Sequence, residues 1–95
     1  MIIVSGWLRV AADARQPYLE ACQSDIELAR AASGCLDFYL SEDPLDPGRI
    51  NVFERWVDVD SVERFRTSGP SNAQQAMITD AQVEQYVIAS VTPLT

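Results

Sequence analysis

The loop Asp43-Pro44-Leu45-Asp46-Pro47-Gly48 constrains the fold of this chain more than any other feature. Its two prolines and its glycine interrupt regular structure. The flanking segments 35–42 and 49–57 alternate apolar and polar residues, which predicts two strands. Parallel strands need a crossover of a dozen or more residues, so a loop this short permits only an antiparallel hairpin.

The segment before the hairpin predicts a strand followed by a helix. Residues 2–10 are rich in β-branched and aromatic types, and large apolar side chains fall on both faces of this strand. The helix runs from Pro17, which is tolerated in a first turn, to about residue 33, and Gly34 ends it as a left-handed cap. Its expected inner seam consists of Leu19, Cys22, Ile26 and Ala29.

The segment after the hairpin predicts a second helix and a last strand. Asp60 and Glu63 have the spacing of a capping box and start the helix. Gly69-Pro70 interrupts it, and a short helical piece follows from Ser71. The last strand is expected over residues 83–91.

The predicted order is therefore βαββαβ. Right-handed crossovers close this order into an α+β, ferredoxin-like fold, with a four-stranded antiparallel sheet and both helices on one face. Because several strands carry large apolar residues on both faces, the face without helices is expected to pack on a second copy. The result would be a homodimer, a dimeric α/β barrel.

Charge and length narrow the classes of partner. The 95 residues suit one domain over 1–95, and 14 acidic against 7 basic residues give a net charge of -7. Such a chain would be repelled by nucleic acid and by an anionic membrane. No apolar run reaches membrane-spanning length, and the first residues lack the basic flank of a signal peptide, so a cytoplasmic location is expected.

The cysteines and the missing histidine limit the chemistry. Cys22 and Cys35 lie apart, and no histidine is present to complete a zinc site. We expect both to be buried free thiols with a packing role, and we expect no metal site.

Three segments resemble the antibiotic biosynthesis monooxygenase family. They are the run Gly34-Cys35-Leu36-Asp37-Phe38-Tyr39-Leu40, the loop Asp43-Pro44-Leu45-Asp46-Pro47, and Val52-Phe53-Glu54-Arg55-Trp56. The resemblance implies a homodimer with a pocket between the helices and the sheet of each subunit. It also implies a monooxygenase that oxidises a phenolic, quinol-like or polycyclic aromatic molecule with dioxygen and without a metal or flavin cofactor.

The chain departs from this family at one position. Many relatives have a histidine in the helix after the third strand, where this chain has Phe65. A mechanism that needs an imidazole base or an axial haem ligand is therefore excluded. A non-catalytic small-molecule-binding dimer and an isomerase or cyclase on the same barrel remain alternatives, because one fold hosts several functions.

The third strand supplies the two candidate catalytic residues. The resemblance places Trp56 on the pocket side, where an indole can stack on a flat substrate, although it could equally be a core residue. Strand parity then puts Glu54 on the same side. A carboxylate among apolar groups would have a raised pKa and could accept a phenol proton. The alternative is that Glu54 forms a salt bridge with an arginine, such as Arg9 or Arg49.

Further residues are expected at the substrate pocket. Tyrosines could orient a hydroxyl, although in half-buried strands they are usually packing residues. The segment behind Gly69-Pro70 could act as a mobile lid, although such a segment more often only caps the sheet. These candidates are Val52, Tyr39, Tyr86, Asn72, Met77 and Phe65.

Overall fold

The hairpin predicted around the proline-containing loop is present. The structure, a computed structural model, describes residues 1–67 and 73–95. Its main elements are β1 (Ile2–Val10), α1 (Arg15–Ala31), β2 (Cys35–Glu42), β3 (Arg49–Trp56), α2 (Val59–Thr67) and β4 (Ile78–Val87). Two short 3-10 helices, Ala12–Ala14 and Ala73–Met77, precede α1 and β4.

The strands form one antiparallel sheet in the order β2-β3-β1-β4. In its centre Val4 of β1 lies between Glu54 of β3 and Gln85 of β4. This order is the ferredoxin-like arrangement predicted from the sequence. The third strand ends at Trp56, one residue before the predicted end at residue 57.

Alternate positions of the strands face the helices and form the core in two groups. The first core cluster contains Ile2, Val4, Ala29, Phe38, Trp56 and Val62. The second core cluster contains Val10, Tyr18, Cys22 and Ile50. Leu40 and Ile26 pack against both clusters and so connect them. Burial of this apolar surface is the main force that holds the helices on the sheet.

The first helix follows its predicted seam with one addition. Cys22 and Ala29 are buried, and Leu19 and Ile26 pack at the edge of the clusters. Tyr18, which the prediction omitted, is buried as well.

α1 ends at Ala31 rather than at about residue 33, and its cap residue, Ala32, is extended. The prediction that Gly34 caps this helix was therefore wrong, although Gly34 is left-handed as predicted. Its φ of 86° is left-handed, and a Cβ there would lie 2.1 Å from Ser61 Oγ. Only glycine adopts this conformation without strain, and no side chain would fit against α2.

The start of α2 differs from the prediction. Asp58, not Asp60, caps the helix: its Oδ1 accepts hydrogen bonds from the Ser61 amide at 2.8 Å and from Ser61 Oγ at 2.6 Å. The predicted box of Asp60 and Glu63 was wrong because α2 already begins at Val59. A side chain must precede the first helical residue to reach the free amides of the first turn.

The last strand begins and ends earlier than predicted, at Ile78 and Val87 rather than 83 and 91. Ile78 pairs with Val10, at the far end of β1, and Val87 pairs with Ile2. One further hydrogen bond joins the Ile88 amide to the Met1 carbonyl at 3.0 Å, and beyond it β1 offers no more residues for pairing. Ala89 and Val91 therefore have no strand to pair with in the part of the chain that the structure describes.

The sheet face away from the helices, here called the open face, mixes aromatic and charged residues. Tyr39 stacks on Phe53 with 5.9 Å between ring centroids, and Arg55 pairs with Asp37. No helix within residues 1–67 and 73–95 is long and apolar enough to cross a membrane.

Candidate functional site

A cavity of about 500 Å³ lies between the helices and the sheet. It runs from Phe38 and Phe65, beside the first core cluster, to Tyr18 and Cys22 of the second. Most of its surface is apolar, and a few polar side chains interrupt it. This composition is typical of a small-molecule site.

The floor of the cavity comes from alternate residues of β3. Ile50, Val52, Glu54 and Trp56 all point toward the helices and are buried. Of these, Val52 and Glu54 line the cavity. The structure thus places Val52 at the predicted pocket.

Glu54 is a buried carboxylate in an apolar setting, with only 8% of the residue exposed. Burial raises the pKa of Glu54, because the charged form loses its hydration. The hydrogen bond from Trp56 and the positive charge of Arg66 act in the opposite direction. Glu54 is therefore a carboxylate whose proton affinity is higher than that of an exposed one.

The alternative salt bridge of Glu54 to Arg9 or Arg49 is not found. Arg9 binds Asp46 at 2.7 Å, and Arg49 lies 3.7 Å from Asp43. Both arginines occupy odd positions on their strands and therefore lie on the open face, whereas Glu54 faces the helices.

Trp56 contributes to the site through Glu54 and not by direct exposure. It is fully buried in the first core cluster, and its ring packs on Phe65 at 5.5 Å between centroids. Its Nε1 donates a 2.9 Å hydrogen bond to Glu54 Oε1. The indole is thus a core residue that positions the carboxylate, and it does not present a face on which a ligand could stack.

Phe65 forms part of the cavity wall. It meets Phe38 edge-on at 5.8 Å between ring centroids, and both rings line the cavity. At the position where the expected histidine would lie, the cavity therefore has an apolar aromatic surface.

The two candidate tyrosines lie on the open face instead. Tyr39 pairs with Phe53, and its hydroxyl donates to Asp37 Oδ1 at 2.9 Å. Tyr86 pairs with Ile3 and is 46% exposed. The prediction that these tyrosines line the pocket was therefore wrong. The cavity residues of the same strands, Phe38 and Val83, have the opposite parity and so point to the other face of the sheet.

Of the remaining two candidates, one packs beside the cavity and the other cannot be placed, because it lies outside the described residues. Met77 packs against the second core cluster. Asn72 lies outside the described residues.

Several cavity residues were not anticipated as site residues. Tyr18 and Cys22 both line the cavity, although Cys22 was expected only to pack in the core. Because Tyr18 lies four residues before Cys22, the two side chains share one face of the helix, and this spacing could have predicted that Tyr18 points inward. Burial raises the pKa values of both the Tyr18 hydroxyl and the Cys22 thiol. Arg66 and Gln74 also line the cavity, and Arg66 donates to Gln85 Oε1 at 3.1 Å.

The donor set offers little to a metal ion. No group of three or more His, Cys, Asp or Glu side chains that could hold one is found in residues 1–67 and 73–95. Cys22 and Cys35 are both free, the first buried and the second partly buried.

The profile of one protein family, antibiotic biosynthesis monooxygenase, matches residues 1–77. This span contains both helices, the first three strands and the residues that surround Glu54. No curated protein matches the chain significantly.

Solved structures share the fold over nearly the whole chain. A Deinococcus radiodurans protein assigned to the antibiotic biosynthesis monooxygenases has 20% identity and a TM-score of 0.80, over 100% of this chain and 99% of the other. A Nitrosomonas europaea protein with the same assignment has 14% identity and a TM-score of 0.82, over 95% and 100%. One from Chloroflexus aurantiacus has 21% identity and a TM-score of 0.77, over 99% and 98%.

Proposed function

The chain belongs to the antibiotic biosynthesis monooxygenase family, and on that premise we propose that it is a small monooxygenase. Its substrate is a phenolic, quinol-like or polycyclic aromatic molecule, and dioxygen is the co-substrate. The observation that carries the proposal is the buried carboxylate of Glu54, which lines an apolar cavity and has a raised pKa.

Glu54 suits the role of general base. An ideal base has a pKa near the working pH, and burial moves the pKa of Glu54 in that direction. The Trp56 indole fixes one oxygen of the carboxylate. In the proposed complex, a substrate hydroxyl lies beside the carboxylate and donates its proton to it.

Loss of that proton makes the substrate a reductant of dioxygen. The phenolate passes one electron to dioxygen, and the resulting phenoxyl radical and superoxide join at a ring carbon. Glu54 returns the proton to form a hydroperoxide. The O–O bond then breaks, the ring carbon loses its hydrogen, and water leaves. The product keeps one atom of dioxygen as a quinone carbonyl, and the other atom becomes water.

In this scheme the electrons come from the substrate, so the reaction needs neither a metal nor a flavin. The surrounding protein has to hold the ring and exclude water from the radical pair. Phe38, Phe65 and Val52 provide the apolar surface for both tasks.

The proposal includes a homodimer formed through the open face. Ile3, Trp7 and Phe53 are only partly buried on that face, and Tyr39 and Tyr86 are exposed. A second copy would cover this apolar and aromatic surface. We also propose a cytoplasmic location, where a reducing compartment keeps thiols such as those of the two free cysteines reduced.

The function is tested by incubating metal-free and flavin-free protein with a panel of phenols and hydroquinones, in air and under nitrogen. We expect turnover that needs both protein and oxygen. Glu54→Gln should slow it by about 100-fold or more, because a base contributes that much. The matched control Glu63→Gln, on the exposed side of α2, should retain the wild-type rate.

The same experiment separates the alternative functions. A buried carboxylate can also move a proton without oxygen, so an isomerase or cyclase is the second candidate. Product that forms equally under nitrogen would support it. Absence of protein-dependent turnover across the panel would contradict the monooxygenase and favour a dimer that only binds its ligand.

A further inference from the structure

Gln74 is one of the residues that line the cavity, and its side-chain amide has a defined orientation. It lies in the 3-10 helix Ala73–Met77, and its Nε2 donates a 2.9 Å hydrogen bond to the Ala21 carbonyl of α1. If the amide were reversed, two oxygens would face each other. The contact with Ala21 therefore determines which end of the amide is the acceptor.

The oxygen of this amide lacks a hydrogen-bond donor in the described part of the chain. Gln74 Oε1 is buried and has no hydrogen-bond partner among the described residues. Buried acceptors in native proteins are almost always paired, because an unpaired one has lost its water without replacement. A donor that does not belong to the described residues would satisfy Gln74 Oε1.

Gln74 and Glu54 lie toward different ends of the cavity. Glu54 lies beside Phe38 and Trp56 of the first core cluster. Gln74 is bound to Ala21, next to Cys22 of the second. Leu40 packs against both clusters and also lines the cavity.

We propose that Gln74 is a specificity-determining residue whose Oε1 accepts a hydrogen bond from a second donor group of the substrate. The ligand class is then an apolar aromatic body with a hydrogen-bond donor at each end, one for Glu54 and one for Gln74. This inference rests on the proposed function for the aromatic nature of the ligand. It adds the demand for a remote second donor and the residue that recognises it.

The test is a calorimetric titration under nitrogen with three probes of nearly equal shape. The probes are 1,5-dihydroxynaphthalene, 5-methoxy-1-naphthol, whose second oxygen cannot donate, and 1-naphthol. The wild-type protein should bind the diol about three- to tenfold more tightly than either other probe, the gain typical of one neutral hydrogen bond. Equal affinities, or no binding of any probe, would overturn the proposal.

The variant Gln74→Met keeps the length of the side chain and removes the acceptor. It should bind all three probes with nearly equal affinity, whereas the control Gln23→Met, on the exposed side of α1, should keep the wild-type preference. A diol preference that persists in Gln74→Met would contradict the assignment. The wild-type probe series remains decisive if the variant does not fold.

The inference and the proposed function can fail separately. Binding under nitrogen does not depend on oxidation, so a diol preference together with no turnover across the phenol panel in air would refute the monooxygenase and leave the role of Gln74 intact. Oxidation of the probes without a diol preference would do the reverse.

Discussion

The indole Nε1 of Trp56 donates a 2.9 Å hydrogen bond to Oε1 of Glu54, two residues earlier on the same face of β3. This contact connects the centre of the first core cluster to the wall of the cavity. It also stabilises the charged form of a carboxylate that burial disfavours. Changes at either residue should therefore alter both stability and the pH dependence of activity.

Glu54→Gln should stabilise the protein at neutral and alkaline pH. The folded-state pKa of Glu54 is raised above its unfolded value, so its contribution to stability is fully present below about pH 4.5 and is lost as pH rises through the folded pKa. Glutamine has no charge to bury and does not show this loss.

The measurement is denaturant unfolding of wild type and Glu54→Gln at about pH 4 and about pH 8. The difference in unfolding free energy should favour the variant at the higher pH and shrink at the lower one. If the difference in unfolding free energy were the same at both pH values, or if the variant became relatively less stable at the higher pH, burial would not raise the pKa of this carboxyl.

Trp56→Phe should shift the acidic limb of the rate profile to higher pH. The hydrogen bond from Trp56 lowers the pKa of Glu54, so its removal leaves the effect of burial less opposed. The smaller ring should also cost about 1–3 kcal/mol of stability. The Michaelis constant should change little, because Trp56 does not line the cavity.

The comparison for this prediction is Trp7→Phe, since Trp7 pairs with Asn51 on the open face. It should leave the midpoint of the rate profile in place. An unmoved midpoint in Trp56→Phe would mean that the indole does not tune the carboxylate.

Asp58→Asn and Asp60→Asn should differ in thermal stability. Of the described carboxylates, Asp58 rather than Asp60 accepts hydrogen bonds from the first turn of α2, and its pKa is lowered by those bonds. Asparagine keeps a weaker, uncharged acceptor, so Asp58→Ala should lower the melting temperature further than Asp58→Asn. Asp60→Asn should have a smaller effect than either. A larger loss at Asp60 would contradict the cap seen in the structure.

Phe53→Glu should convert the proposed dimer to a monomer. Phe53 lies on the open face, and a charge there would be buried without a partner in a packed interface. Sedimentation of the wild type at micromolar concentration should give about twice the 10.5 kDa of the chain. Leu45→Glu, in a loop position that is 93% exposed, should remain dimeric. A wild-type protein that sediments as a monomer would contradict the proposed dimer.

Much of the fold could be predicted because its signals are local. The short loop before Gly48 determines the hairpin, and the left-handed Gly34 marks the end of the connection after α1. The bounds of β4 could not be predicted, since they depend on the length of β1, its only neighbour in the sheet that residues 1–67 and 73–95 form. The predicted cap of α2 was two residues too late, because two aspartates have a suitable spacing. Asp58 precedes Ser61 by three residues and Asp60 precedes Glu63 by three, so the sequence alone did not distinguish them.

The candidate site could be predicted only in part. Glu54 interrupts an otherwise apolar alternation on β3, and this irregularity marks a buried carboxylate. Tyr39 could have been assigned to the open face, since it has the opposite parity to Phe38. The significance of Gln74 has no signal in the sequence, because it depends on the missing partner of one buried atom.

The most direct test of the proposed function is turnover of an accepted phenol under ¹⁸O₂, with mass spectrometry of the quinone product. The mechanism at Glu54 predicts one labelled oxygen atom in the product and the other in water, at a rate that Glu54→Gln strongly reduces. An unlabelled product, or a label that enters from ¹⁸O-water during the reaction and not from dioxygen, would contradict it.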